Sequence, residues 1–134
     1  MIAIRIWHAV MAILTFAVIS PYFTSIDKML ARLELAPVGP QGAGNVIIAS
    51  AMQGIAVGIY CLWGAIDRRR ALEALRFLII YMACICVGRA MAALPYFPDL
   101  SSTPVIVFSI DSVITIFSAL LLYLHYRSAA AKAA

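Results

Sequence analysis

The chain has 134 residues, 65% of them hydrophobic and 12% charged, with mean hydropathy +1.01 and a formal net charge of +4. A water-soluble domain of this length cannot hide so much apolar surface, and little chain remains outside the apolar stretches for a soluble catalytic domain. The composition predicts an all-α integral membrane four-helix bundle. It is a single domain over residues 1–134, with spans near 2–23, 45–66, 74–94 and 104–126, each close to the ~20 residues a bilayer demands.

Span one starts like a signal peptide, with Arg5 ahead of an apolar core. No small-residue A-x-A site follows that core, so an uncleaved first helix is expected. Trp7 and His8 lie at one end and Tyr22 and Phe23 at the other, as in an interfacial aromatic belt. Ser20-Pro21 is expected to end or kink this helix.

In the following loop, Ser25 or Asp27 can cap a short helix, and Ile26, Met29, Leu30 and Leu33 share one face. This predicts a short amphipathic segment on the outer surface or folded over the bundle. The Pro- and Gly-rich stretch 37–44 interrupts it and reads as a joint.

Span two carries Ser50, Gly54 and Gly58 four residues apart, a spacing that lets a neighbouring backbone approach closely. That neighbour is a helix of this chain or of another subunit. The loop at 67–73 holds Arg68, Arg69 and Arg70, which read as an orientation signal with lipid headgroups as neighbours. Span three has a second small stripe, Cys84, Gly88 and Ala92. It is expected to pack, with Gly88 leaving room for Arg89 against a neighbouring helix. Cys61, Cys84 and Cys86 fit no zinc or haem pattern and read as small buried apolar residues.

Span four places Asp111, Thr115, Ser118 and His125 on one side of a helix. A polar stripe on a membrane helix should turn inward. A proton path along it is disfavoured, because Asp111 and His125 are ~21 Å apart along the axis. His8 and His125 both fall near the inner interface, where histidine is ordinary.

The charge distribution argues against nucleic acid as a partner. With the N-terminus, the second loop and the C-terminus inside, seven of the ten basic residues are cytoplasmic. Short loops rich in Lys and Arg stay inside, so the expected orientation is N-in and C-in.

Arg89 and Asp111 are the exceptions, because each lies within an apolar span. An antiparallel hairpin of spans three and four, joined by the turn-rich stretch 95–103, brings both to roughly 9–11 Å below one surface. A charge in a bilayer is costly and normally faces inward and pairs, so the two are expected to pair. Gln53 falls at the same level, ~12 Å below Asn45, and Thr15 and Ser20 bracket it. Gln53, Arg89 and Asp111 can therefore line a small pocket, Arg89 offering a planar fork of donors and Asp111 holding it. The plainer reading is a structural ion pair that pins two helices.

No catalytic residues are expected. There is no Gly-rich phosphate loop, nucleophile elbow or His/Glu metal motif. One acid deep in the membrane is too little for a metal in a bundle core, so no metal and no cofactor are predicted.

From Asn45 onward, the order of features resembles a family of small bacterial four-helix membrane proteins catalogued as a domain of unknown function. The resemblance rests on Asn45, Gln53-Gly54, Gly58, the basic Arg68-Arg69-Arg70 turn, Gly88-Arg89, Asp99, Pro104 and an acid in span four. Family members more often carry Glu where this chain has Asp111, which keeps the charge but shortens the reach to Arg89. The topology is also similar, more weakly, to DoxX-like four-helix proteins. The resemblance implies the fold and a bacterial inner (cytoplasmic) membrane, and no reaction.

Small-residue faces, minimal loops and missing chemistry favour a non-enzymatic accessory or scaffold subunit of a larger membrane assembly. Its partners would be membrane lipids and either other membrane subunits or a second copy. The alternative is binding or transport of a small amphiphile (a lipid, quinone or anionic metabolite) around Arg89 and Asp111. A membrane enzyme using Asp111 as acid or base ranks third.

Overall fold

The computed structural model describes residues 1–25, 27, 47–92 and 105–133. The described residues form four helices and no strand. These are α1 (Ile2–Thr24), α2 (Gln53–Ile66), α3 (Ala71–Ala92) and α4 (Val105–Ala133), with a π-helical turn (Ile47–Met52) leading into α2. All four, α2 together with part of its π turn, are long and apolar enough to cross a membrane. The expected amphipathic segment around 26–33, the joint at 37–44, Asn45 and the turn at 95–103 lie outside the described residues, apart from Asp27.

Successive helices run antiparallel. Gly54, Gly58 and Gly64 of α2 meet Ile19, Phe16 and His8 of α1, so numbers rise on one helix as they fall on the other. Tyr60 of α2 lies 4.7 Å from Phe77 of α3, ring centre to ring centre. At the two ends of the α3–α4 pair, Arg89 meets Asp111 and Arg76 meets the Tyr126 hydroxyl. The central core is Met11, Ala12, Val57, Cys61, Leu78 and Met82, from α1, α2 and α3. Smaller clusters close the ends: Ile19, Tyr22 and Ala51 at one, Ile4, Ala71 and Leu75 at the other.

Several boundaries differ from those expected. Pro21 does not end α1, which continues to Thr24. Proline cannot donate to the carbonyl four residues back, here Ala17. The Ser20 hydroxyl donates to that carbonyl instead, at 3.0 Å, so the acceptor keeps a partner within the helix. Helix α3 starts at Ala71 rather than Ala74. Asp67 Oδ1 accepts the Arg69 N–H at 2.8 Å, and the Arg70 carbonyl already accepts from Ala74 N at 2.9 Å. The turn is thus shorter than the expected 67–73 loop. Helix α4 runs seven residues past Tyr126, because Ser-Ala-Ala-Ala-Lys-Ala contains no breaker and alanine favours helix. Its 29 residues span about 44 Å, longer than the ~30 Å apolar core of a bilayer.

The two small-residue stripes behave differently. Gly54 and Gly58 give α1 its close approach. A Cβ on Gly58 would stand 2.9 Å from Phe16 Cζ, and one on Gly54 would collide with Ile19 Cγ2. Ser50 sits in the π turn, half-buried. The stripe on α3 faces away from the other described helices. Cys84 and Gly88 are exposed, and a Cβ on Gly88 would meet nothing within 4 Å. The side chain of Ala92 lies outside the described residues. The reason is the turn of the helix: Leu78, Met82 and Ile85 already fill the core-facing side.

Gly64 is hemmed in from two helices at once, since a Cβ there would lie 2.7 Å from both His8 Cδ2 and Ala74 Cβ. Gly64→Ala is expected to destabilise the bundle by roughly 1–3 kcal/mol through overpacking. Gly88→Ala should be neutral, or stabilising by up to ~1 kcal/mol through helix propensity. Thermal unfolding of both variants in detergent, followed by circular dichroism, checks the contrast.

Candidate functional site

At the end of the bundle where α3 finishes and α4 begins, Arg89 Nε donates to Asp111 Oδ2 at 2.6 Å. The pair is not equally covered: the Asp111 side chain is 13% exposed and that of Arg89 33%. Arg89 comes from the last turn of α3, where a cation also favours the carbonyl end of the helix dipole. Asp111 is held from below by its own helix, its carbonyl accepting from Thr115 Oγ1 at 2.8 Å. Among the described residues, the terminal guanidinium nitrogens of Arg89 donate to none, leaving most of the fork's donor capacity unused.

The ion pair borders a cavity of about 550 Å³ to which all four helices contribute. Most of its wall is apolar, from residues such as Met11, Ile19, Val57, Ile85 and Ile114. The polar lining is Thr15, Tyr22, Ser50, Gln53, Tyr81, Arg89 and Asp111. Gln53 is exposed and shares this wall without hydrogen-bonding to the pair. Exposed Leu14 and Val18 of α1 and Ile110 of α4 also line it, so the described residues leave it open between those helices. The π turn contributes Ala49 and Ser50. Its wider winding was not legible in the sequence, although π segments often sit beside ligand sites.

The polar stripe of α4 is divided among separate partners. Asp111 pairs with Arg89, and Thr115 and Ser112 approach Cys86 Sγ at 3.7 and 3.8 Å. The fully buried Ser118 hydroxyl accepts from Trp7 Nε1 at 2.9 Å. His125 lies at the other end of the bundle, facing Arg5 and Arg68 across a different cavity. No continuous chain of hydrogen bonds joins these groups among the described residues.

At the far end several side chains take partners that differ from those expected. Trp7 is not a belt residue, because its indole N–H reaches Ser118. His8 is fully buried rather than interfacial, with Nε2 2.9 Å from the Ala71 carbonyl and Nδ1 unpartnered. Tyr22 is also buried, so only Phe23 of the four expected belt residues is exposed. Arg5 donates from Nε to the Ala65 carbonyl at 2.8 Å and from Nη2 to that of Ile66 at 3.2 Å. These carbonyls belong to the last turn of α2, which has no onward helical partners. Arg70 lies over the Trp63 ring at 4.3 Å and near Asp67 at 3.7 Å. Of the three cysteines, only Cys61 is buried; Cys86 is partly covered and Cys84 exposed.

No cluster of three or more His, Cys, Asp or Glu side chains suited to a metal occurs among the described residues. No family model, curated protein or solved structure matches the chain.

Truncating one member of the ion pair leaves the other charge against an apolar wall. A fully buried pair loses about 3–5 kcal/mol in that situation, and the exposure of Arg89 brings the expected loss below that range. Asp111→Leu and Arg89→Leu should each destabilise, while the double variant recovers most of the loss. A double-mutant cycle on unfolding in detergent measures this coupling.

Proposed function

We propose that this protein binds a small anionic amphiphile, with Arg89 holding the polar head in the cavity between the four helices. One observation carries the reading: a guanidinium whose terminal nitrogens donate to none of the described residues borders a largely apolar cavity of about 550 Å³. That volume lies within the roughly 300–1,000 Å³ of small-molecule sites, which combine apolar walls with a few placed polar groups. Asp111 fixes the guanidinium through Nε, so the remaining fork can face a carboxylate or phosphate in bidentate fashion. Gln53, on the same wall, supplies a further donor or acceptor. The opening between α1 and α4 suits a ligand arriving from a lipid phase.

A second reading, an accessory subunit of a larger membrane assembly, is favoured by α4. Only 6% of its apolar stretch is buried, against 28% in each of the other three spans. Exposed Cys84 and Gly88 extend the uncovered surface onto α3. Lipid or a partner helix can cover such a face. Both readings place the chain in a bacterial inner membrane with its N- and C-termini on the cytoplasmic side. The support is the basic turn Arg68, Arg69 and Arg70 and the resemblance to small bacterial four-helix membrane proteins.

Native mass spectrometry of protein released from its own membrane tests the ligand reading. Wild type should carry a small anionic molecule. Arg89→Gln should lower its occupancy at least about tenfold while the bundle stays folded, in line with the roughly 1.5–3 kcal/mol of a charged hydrogen bond. A stoichiometric protein partner with no small molecule would favour the subunit reading instead. Orientation has its own test. A green fluorescent protein fused to the C-terminus should fluoresce, and alkaline phosphatase at the same position should be inactive.

A further inference from the structure

The end of the bundle opposite Arg89 holds a second cavity, of about 690 Å³. The charged and polar side chains that line it are Arg5, Arg68, His125 and Ser128, brought together from α1, the α2–α3 turn and α4. Among the described residues, no acidic side chain lines it. The nearby Asp67 carboxylate is occupied by the Arg69 N–H and by Arg70. Of the three arginines in the basic turn, only Arg68 lines this cavity. Arg70 is taken up by Trp63 and Asp67. A smaller cavity of about 260 Å³ adjoins it, sharing Ile2 and Arg5 and continuing along α1 past Ile6 and Ala9 to Ala65 of α2. Apart from Arg5, its lining is apolar.

We propose that these two cavities form one site for an anionic phospholipid, the phosphate between Arg5, Arg68 and His125 and an acyl chain along Ile6 and Ala9. Two positive side chains with no acid among them attract a phosphodiester. The adjoining apolar groove is what separates a lipid from a free phosphate, which has no use for it. Arg5 joins the two parts: Nε and Nη2 are spent on the carbonyls of α2, and its cationic charge faces both cavities. The inference rests on the membrane placement proposed above and is independent of the Arg89 cavity. Resistance of the protein to alkaline carbonate extraction tests that placement separately.

The test is native mass spectrometry of the full chain in detergent, loaded with equal amounts of phosphatidylglycerol and phosphatidylcholine. Wild type should retain phosphatidylglycerol about fivefold over phosphatidylcholine, the discrimination expected of one basic residue at a headgroup. Arg68→Gln should bring the ratio near one. Arg127→Gln, which removes the same charge from an exposed position outside the cavity, should leave it unchanged. Ala9→Leu, which fills the groove, should lower retention of phosphatidylglycerol severalfold. Equal retention of the two lipids by wild type, or equal effects of Arg68→Gln and Arg127→Gln, would overturn the site. Displacement of phosphatidylglycerol by millimolar inorganic phosphate would overturn the lipid assignment in favour of a soluble anion.

Discussion

The contact between Arg89 and Asp111 sets the register of the α3–α4 hairpin. Helix α4 has few apolar anchors, because most of its apolar side chains face outward and its apolar stretch is 6% buried. Its polar ties, this one with Ser118 to Trp7 and Tyr126 to Arg76, therefore locate it. Apolar contacts are non-directional and tolerate sliding; a 2.6 Å charged hydrogen bond does not. Sliding α4 by one turn would move Asp111 by about 5.4 Å and leave both charges against an apolar wall. Thr115 and Ser118 then fall opposite Cys86 and Trp7 as consequences of that register.

The other end is organised by the same need to satisfy polar groups, met by α1. Arg5 and His8, one turn apart, take the carbonyls of Ala65, Ile66 and Ala71 on either side of the α2–α3 turn. The Ala65 and Ile66 carbonyls close α2 without onward helical partners, and an acceptor left unmet when buried costs about 1–3 kcal/mol. The Ala71 carbonyl opens α3, where carbonyls pair within the helix, so His8 is a second donor to it. Trp7, between them in sequence, reaches α4. Three polar-tipped residues of α1, Arg5, Trp7 and His8, thus tie all three other helices together. Gly64 is what lets the His8 ring lie so close.

The two ends therefore differ in chemistry. One has a cation paired with an acid beside a large, mostly apolar cavity. The other has cations, with no acid among the described lining, at a cavity lined by α1, the tight turn and α4. The middle is a conventional apolar core of α1, α2 and α3 that keeps the ends apart.

The sequence by itself determined the fold class, because length and hydropathy leave a 134-residue, 65% hydrophobic chain with little beyond four long apolar helices. It also limited the counter-charges available to Arg89, since axial rise along a helix is fixed and Asp111 is the acid at the same depth on the next helix. Rotation about each helix axis was decided only by tertiary packing. The α2 stripe of Gly54 and Gly58 turns toward α1, and the similar α3 stripe of Cys84 and Gly88 turns outward. Spacing is the same in both, so spacing carries no information on which partner is present. Helix ends were decided by single hydrogen bonds, such as Ser20 to Ala17 past Pro21, whose geometry no periodicity encodes. The roles of Trp7 and His8 were hidden for a related reason. An amphipathic aromatic at a helix end fits an interface or a buried partner equally well. Only the positions of Ser118 and Ala71, 111 and 63 residues away along the chain, select the second.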